Sequence, residues 1–325
     1  MKSWVVPAIV VVILEYAFAL TIGAHVGFRY TIPFAAYVIL GLAFAGAGVT
    51  AAVLLKLALY ASQRETAPAR RLLADLPALL PFVAGVLLVA LQIAVLTWTK
   101  VMLPIASPFW ADALLANADH ALFRVDPWGL AWRLFGWAAP LIDRAYVTWA
   151  PIKFATLLFV LCMPESSTKS RALLSYFAMM GTVAVSQYFL SSAGPIFYSQ
   201  LGLGARFDAM PVEPWVQTTR AYLWQDYLKA GGSIGGGISA MPSLHVAAAL
   251  WLALVWRSYQ RHLGILGFAY FAVIAVGSVL LGWHYAVDAV AAVLITSAVW
   301  ALARRISAEQ LAVMRRRLHT GIVAG

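Results

Sequence analysis

Gly235-Gly236-Gly237-Ile238-Ser239-Ala240-Met241-Pro242-Ser243-Leu244-His245 runs directly into the apolar stretch 246–256. Glycines, then Pro-Ser, then an unbroken apolar run read as a loop turning into a helix, with proline in the first turn, where it is favoured. A second stretch has the same design: Gly277-Ser278, five residues, then His284-Tyr285-Ala286-Val287-Asp288 at the head of another apolar run. Each stretch sets a histidine at the mouth of a hydrophobic helix. The rest of the chain reads as a membrane scaffold that brings the two mouths together.

Composition supports that reading. Of 325 residues, 63% are hydrophobic and 11% are charged, whereas a water-soluble domain carries about 25% charged residues. The fold class is therefore all-α, a polytopic membrane helical bundle. Apolar stretches long enough to cross a bilayer recur at about 4–24, 32–60, 77–99, 144–163, 172–192, 241–258, 264–282 and 285–303, roughly eight spans in all. The start of the chain resembles a secretory signal, but its apolar character continues past Glu15 to Ile22. It reads as a first transmembrane helix, with a cleaved signal as the alternative.

The formal charge of +10 does not point to nucleic acid, because the basic residues fall in short clusters between spans. Arg64, Arg70 and Arg71; Lys169 and Arg171; Arg257 and Arg261; and Arg304, Arg305, Arg315, Arg316 and Arg317 all lie on one side of an eight-span chain. The positive-inside rule makes that side cytoplasmic, with both termini there. His245 and His284 then fall on the extracytoplasmic (periplasmic or lumenal) side, with Asp112, Asp119, Asp126, Asp143, Asp208, Glu213 and Asp226. The single cysteine, Cys162, excludes a disulfide within the chain and a cysteine metal site, and reads as a small buried hydrophobe.

Two outer segments are too long to be turns. Residues 101–143 alternate apolar and polar at helical spacing and read as one or two interfacial helices. Residues 193–240 mix Arg206, Trp215, Arg220, Tyr222, Trp224, Tyr227 and Lys229 with glycines, and read as a lid at the headgroups. Glu15 and Lys153 are charges inside spans, and such residues are functional candidates.

The chemistry lies in the histidines. A helix N-terminus presents free N–H groups and a positive dipole end that suit phosphate, and glycines let the backbone approach an anion. His245, in the first turn, is placed to exchange a proton with a bound phosphate ester. His284 and Asp288 are four apart and share a helix face. A carboxylate on one imidazole nitrogen fixes the tautomer and frees the other nitrogen as nucleophile or ligand. A metal held by His245, His284 and Asp288 is the rival chemistry. It leaves the glycine-rich stretch unexplained, so no metal and no cofactor are expected.

These motifs resemble the type 2 phosphatidic acid phosphatase superfamily, which includes haloperoxidases and lipid phosphatases. Its Pro-Ser-Gly-His signature is matched by Pro242-Ser243-Leu244-His245. Its Ser-Arg, five residues, His, three residues, Asp signature is matched by Gly277-Ser278, His284 and Asp288. The Met-Pro-Ser-Leu-His and His-Tyr-x-x-Asp forms are more similar to the inositol phosphorylceramide synthase branch than to soluble phosphatases. The resemblance implies a six-helix phosphatase-like core over residues 77–325, with 1–76 as an added N-terminal transmembrane hairpin. The family's Lys, six residues, Arg-Pro signature is not matched: Gln187 and Gly194 stand at the cation positions before Pro195, and Ser278 replaces the third signature's arginine. Arg220, Lys229, Arg206 or Arg144 are the candidate substitutes.

The resemblance implies that His284 attacks phosphorus to form a phosphohistidine. Asp288 orients it, and His245 protonates the leaving alcohol and then deprotonates the acceptor. Backbone around Ser243 and Leu244, with Arg220 and Lys229, would bind phosphate. The implied function is a lipid phosphotransferase or phosphatase acting on a lipid with a phosphate headgroup, sphingolipid or phospholipid, with water or a polyol as acceptor. A lipid transporter built on Glu15 and Lys153, or a catalytically inactive relic of the fold, are the other readings.

Overall fold

The computed structural model describes residues 4–28, 34–229, 233 and 235–322, with side chains described through Ser307. Met1 and Lys2 and the side chains of Arg315, Arg316 and Arg317 lie outside the described residues. Helix accounts for 79% of the chain, with no strand among the described residues. The helices are α1 (Val5–Val26), α2 (Phe34–Ser62), α3 (Pro68–Asp75), α4 (Leu80–Ala106), α5 (Asp112–Phe123), α6 (Pro127–Phe135), α7 (Ala139–Val147), α8 (Trp149–Cys162), α9 (Ser167–Ser186), α10 (Pro214–Leu228), α11 (Leu244–Tyr259), α12 (Arg261–Leu280) and α13 (Ala286–Ile322).

The protein is an integral membrane helical bundle. Among the described residues, five helical segments are long and apolar enough to cross a bilayer, and six if Pro127–Val147 and Trp149–Cys162, bent by 43°, make one span. Two of the eight expected spans fall short for physical reasons. Helix α9 carries Lys169, Arg171 and several serines, and α11 has only 16 residues. Both sit at the centre of the bundle, where their faces meet protein rather than lipid: Tyr176, Phe177, Met179, Trp251, Leu252 and Val255 are all buried in one core. An interior helix is not required to be apolar all round.

Close packing sets the arrangement of α11 and α12. A Cβ on Gly267 would lie 2.8 Å from the Cα of Ala253, so glycine lets the two backbones approach. Trp251 Nε1 donates to the Ala172 carbonyl at 3.0 Å and to Ser175 Oγ at 3.2 Å, which ties α11 to α9. Helix α13 packs along α9, and α1 packs on both α4 and α9. Glu15 of α1 accepts from Gln92 Nε2 at 2.8 Å, and Gln92 also donates to the Phe177 carbonyl at 2.9 Å. The intramembrane carboxyl of Glu15 is thus held inside the α1–α4–α9 packing by a neutral donor.

Two sequence expectations change. Cys162 is exposed rather than buried, because it ends α8 one position round from the inward-facing Leu161. Lys169 is buried rather than a free loop cation. Its ammonium donates to the carbonyls of Leu161 and Met163, both at 2.9 Å, and pairs with Glu165 at 3.0 Å, closing the C-terminal end of α8. The segment 101–143 does form helices, α5 to α7, after α4 has run on to Ala106. Among the described residues of 193–240, α10 follows irregular chain that packs inward against it, Phe197 stacking on Trp224 of α10 at 5.9 Å.

Candidate active site

His245 and His284 meet at the same end of the bundle. Helix α11 begins at Ser243, whose Oγ caps it by accepting from Val246 N at 3.3 Å, a contact typically contributing about 1 kcal/mol. This places His245 in the first turn. The chain between α12 and α13 turns tightly, Gly282 taking φ +75°, and the His284 N–H donates to the Ser278 carbonyl at 3.0 Å. His284 Nε2 then lies 3.4 Å from His245 Nδ1. The two helix starts are also joined through the backbone, Ser243 N donating to the Asp288 carbonyl at 3.3 Å.

The orientation of His284 follows from its other nitrogen. Nδ1 lies 3.0 Å from the carbonyl of Ala240 and 3.4 Å from Asp288 Oδ2. A carbonyl only accepts, so Nδ1 carries the proton and, in the neutral ring, Nε2 holds the lone pair. Asp288 Oδ2 accepts from Tyr285 N at 3.0 Å, while Oδ1 is buried with no hydrogen-bond partner among the described residues. His245 stacks on Tyr146 with ring centroids 4.9 Å apart and meets the Trp149 ring at 4.5 Å. The Tyr146 hydroxyl is likewise buried without a partner among the described residues. Orphaned polar atoms beside a His pair mark a place where a polar ligand would be satisfied.

Helix α5 supports both sides of this site. Asp112 accepts from the N–H groups of Ala193 and Gly194 and from the Tyr285 hydroxyl, all at 2.9 Å. Two turns on, Asp119 accepts from Ala286 N at 2.7 Å and Val287 N at 2.9 Å, the free donors at the start of α13. Burial pushes the Asp112 carboxyl up to about 6 despite its three donors, and burial also raises Asp119. Asp126, after α5, is held below the usual carboxylate range mainly by Arg206, which donates to it at 2.6 and 3.1 Å. Arg206 therefore serves this ion pair, and its Nη1 donates to Asn117 Oδ1 at 2.8 Å. Asp226 performs the same service for the glycine run, accepting from Ser233 N at 2.9 Å and Gly237 N at 3.1 Å.

The candidate phosphate binders are placed unevenly. The Ser243 N–H and hydroxyl are both engaged, as described. The N–H groups of Leu244 and His245, in the first turn of α11, have no acceptor within the helix. Arg220 donates from Nε to Gln200 Oε1 at 2.9 Å, and Lys229 is exposed where α10 ends. Among the described contacts, neither reaches a histidine.

The departures at the cation positions have structural causes. Gly194 takes φ +98°, and a Cβ there would lie 2.3 Å from the Trp283 carbonyl oxygen, so no arginine fits. Gln187 donates its amide to the Pro242 carbonyl at 3.4 Å, bracing the loop before Ser243. Ser278 is fully buried and donates to the Ala275 carbonyl at 2.8 Å.

Sequence reasoning used Asp112 and Asp119 only as markers of sidedness. Their seven-residue spacing, with Leu115 and Ala116 buried on the same side, was the available signal for an inward face. The Ala240 carbonyl left no signal at all, since a backbone acceptor carries no residue identity. Among the described residues, no cluster of His, Cys, Asp and Glu is arranged to hold a metal ion.

A sequence model of the PAP2 superfamily matches residues 113–302, more than half of the chain. No curated protein and no solved structure matches the chain.

Proposed function

Because the chain belongs to the PAP2 superfamily, we propose that it is a lipid phosphatase or phosphotransferase working through a phosphohistidine on His284. The observation that carries this reading is the approach of His284 Nε2 to His245 Nδ1 at 3.4 Å, with His284 Nδ1 anchored on the Ala240 carbonyl. His284 Nε2 attacks phosphorus as the bond to the leaving alcohol breaks. Doubly protonated His245 gives its proton to that alcohol and becomes neutral. Asp288 stabilises the charge that develops on His284. In the second half, neutral His245 takes the proton of the acceptor hydroxyl, whose oxygen displaces Nε2 from phosphorus. Such proton transfers contribute about 10²–10⁴-fold each.

In-line attack needs the reacting atoms about 3–3.5 Å apart, and a 3.4 Å gap between the two nitrogens leaves no space for phosphorus between them. The substrate therefore parts the rings as it enters. Free N–H groups of Leu244 and His245 support binding of equatorial oxygens by the first turn of α11.

Sidedness is part of the same proposal. Arg257 and Arg261 lie at the ends of α11 and α12 remote from the histidines, and Arg304 and Arg305 lie where the apolar part of α13 finishes, which supports a cytoplasmic placement for that side. The site then faces the extracytoplasmic side. The Met-Pro-Ser-Leu-His form supports a phospholipid or phosphosphingolipid donor, and the acceptor is water or a polyol.

The test is incubation of purified protein with labelled lipid phosphates, with and without inositol or glycerol. Free phosphate identifies hydrolysis and a new headgroup identifies transfer. Unchanged turnover in His284→Ala would sink the mechanism. Lipid movement that needs Glu15 but neither histidine would support a transporter instead.

A further inference from the structure

With positions 187, 194 and 278 uncharged, the site lacks the cations that a phosphoryl group requires. Two other lysines lie on the helices beside it. Lys153, one turn into α8, is 3% exposed. Its ammonium lies 4.5 Å from the Trp149 ring centroid and 4.6 Å from that of Phe154. The same Trp149 ring touches His245, again at 4.5 Å, so the ammonium is at most two such separations from the imidazole. Lys100 lies near the end of α4, under the glycine run. A Cβ on Gly237 would come within 3.0 Å of both its Cγ and its carbonyl carbon. Three residues on from Gly237, the Ala240 carbonyl accepts from His284 Nδ1 at 3.0 Å, so Lys100 packs against the loop that anchors this histidine.

Neither ammonium has a hydrogen-bond acceptor or an ion-pair carboxylate among the described residues. Asp226, beside the loop over Lys100, accepts from Ser233 N and Gly237 N. A buried ammonium without an anion is costly. Lys153 is such a group, whereas Lys100 is half-buried; a buried ammonium beside the His245 imidazole with no acceptor of its own is explained by an anion that arrives from outside.

The surroundings define the rest of that ligand. Phe154, whose ring the Lys153 ammonium caps, forms one wall of an apolar groove of about 190 Å³ between α2, α4 and α8. Leu40, Phe44, Ala90, Leu157 and Leu158 line it, and its polar surface is negligible. Leu157, Leu158 and Leu161 follow Lys153 along α8 away from the histidine end, so the groove runs from the cation into the depth of the bundle.

We propose that Lys100 and Lys153 bind the phosphate oxygens of the substrate at His284, and that this substrate is a phosphate ester whose long apolar chain lies in the α2–α4–α8 groove. The proposal rests on the phosphoryl-transfer reading above. It gives the site two point charges from helices α4 and α8 in place of the absent cations, and a headgroup position fixed by the tail.

The test uses the full chain in mixed micelles, with a long-chain phosphatidate and p-nitrophenyl phosphate as substrates and inorganic phosphate as inhibitor. Lys100→Met and Lys153→Met should each lower kcat/KM by about 10²–10³-fold on both substrates, and weaken inhibition by phosphate while leaving the melting temperature unchanged. Lys153→Arg should retain more activity than Lys153→Met. Leu158→Trp, which fills the groove, should raise KM for phosphatidate alone.

Wild-type kcat/KM and phosphate inhibition in both methionine variants would overturn the clamp, and an equal effect of Leu158→Trp on both substrates would overturn the groove. His284→Ala separates the two levels. If it abolishes turnover while the methionine variants stay active, the lysine assignment alone fails; if it stays active, the reading beneath it fails. Should a methionine variant not fold, protection of wild type and Lys153→Arg by inorganic phosphate against thermal unfolding decides the question, absence of protection counting against the clamp.

Discussion

The imidazole of His284 donates from Nδ1 to the main-chain carbonyl of Ala240 at 3.0 Å, a closer contact than the 3.4 Å to Asp288 Oδ2. The tautomer is therefore set by backbone, and in the proposed mechanism the carboxylate adds charge stabilisation and aim. Asp288→Asn should leave Nε2 as the available nucleophile and lower kcat by about 10–100-fold, the usual range for loss of such a supporting contact. His284→Ala should lose all measurable turnover. Steady-state kinetics of the two variants beside trapping of phosphoenzyme separates the roles; equal losses would place the tautomer under Asp288.

His245 stands between His284 and the rings of Tyr146 and Trp149. In its proposed role as proton donor to the leaving alcohol, it matters least when that alcohol is already acidic. His245→Asn should lower kcat by about 10²–10⁴-fold on an alkyl phosphate, and by much less on p-nitrophenyl phosphate. A uniform loss on both substrates would make His245 a positioning group.

Two carboxylates near the site titrate in opposite senses. Asp112 is raised by burial to about 6, so between its ordinary value and pH 6 the folded state holds a proton that the unfolded state has lost. Its contribution to stability is present in acid and is lost as pH rises through about 6. Asp126 is lowered, chiefly by Arg206. Its contribution is present above the ordinary carboxylate value and is lost as pH falls through the depressed one. Melting temperature against pH should show Asp112→Asn flattening the region around pH 6 and Arg206→Ala weakening the protein at neutral pH, with the acid limb diminished. A Asp112→Asn profile parallel to wild type would contradict the first part.

Asp119 caps α13 through Ala286 N and Val287 N. Asp119→Ala should cost about 1–2 kcal/mol of stability, seen as a lower melting temperature, and should also reduce kcat because α13 begins two residues after His284. A stability loss with full activity per folded molecule would separate the cap from the site.

Restoring an arginine at position 194 should not restore a cation. The positive φ and the 2.3 Å approach of the Trp283 carbonyl oxygen to a Cβ leave no room, and the strain should exceed about 1–3 kcal/mol. Gly194→Arg should express poorly or melt early. A well-folded, more active variant would show that the loop can move.

The sequence conveyed the helical bundle through its apolar periodicity, and it placed His245 and His284 at helix starts because Pro242-Ser243 and Gly282 punctuate the chain there. It did not convey the depth of α9 and α11, since centrality depends on which helices surround them and not on their own hydropathy. Lys169 looked like a loop cation because sequence spacing does not show the Leu161 and Met163 carbonyls folding back toward it. The bracing by Asp112 and Asp119 was hidden because their acceptors are spent on backbone N–H groups up to 168 residues away. Cys162 was misplaced because an apolar run does not reveal which side of a helix end faces inward.

In the phosphohistidine mechanism proposed above, the direct contact between His284 and His245 gives the vacant site a safety catch. Its reactive lone pair is already occupied by a neighbour, so water and stray electrophiles meet a closed pair rather than a bare nucleophile. Opening the catch costs one neutral hydrogen bond, about 0.5–1.5 kcal/mol, or roughly a tenfold discount on affinity at most. A well-anchored phosphate ester overcomes that discount easily, while a weakly held bystander does not.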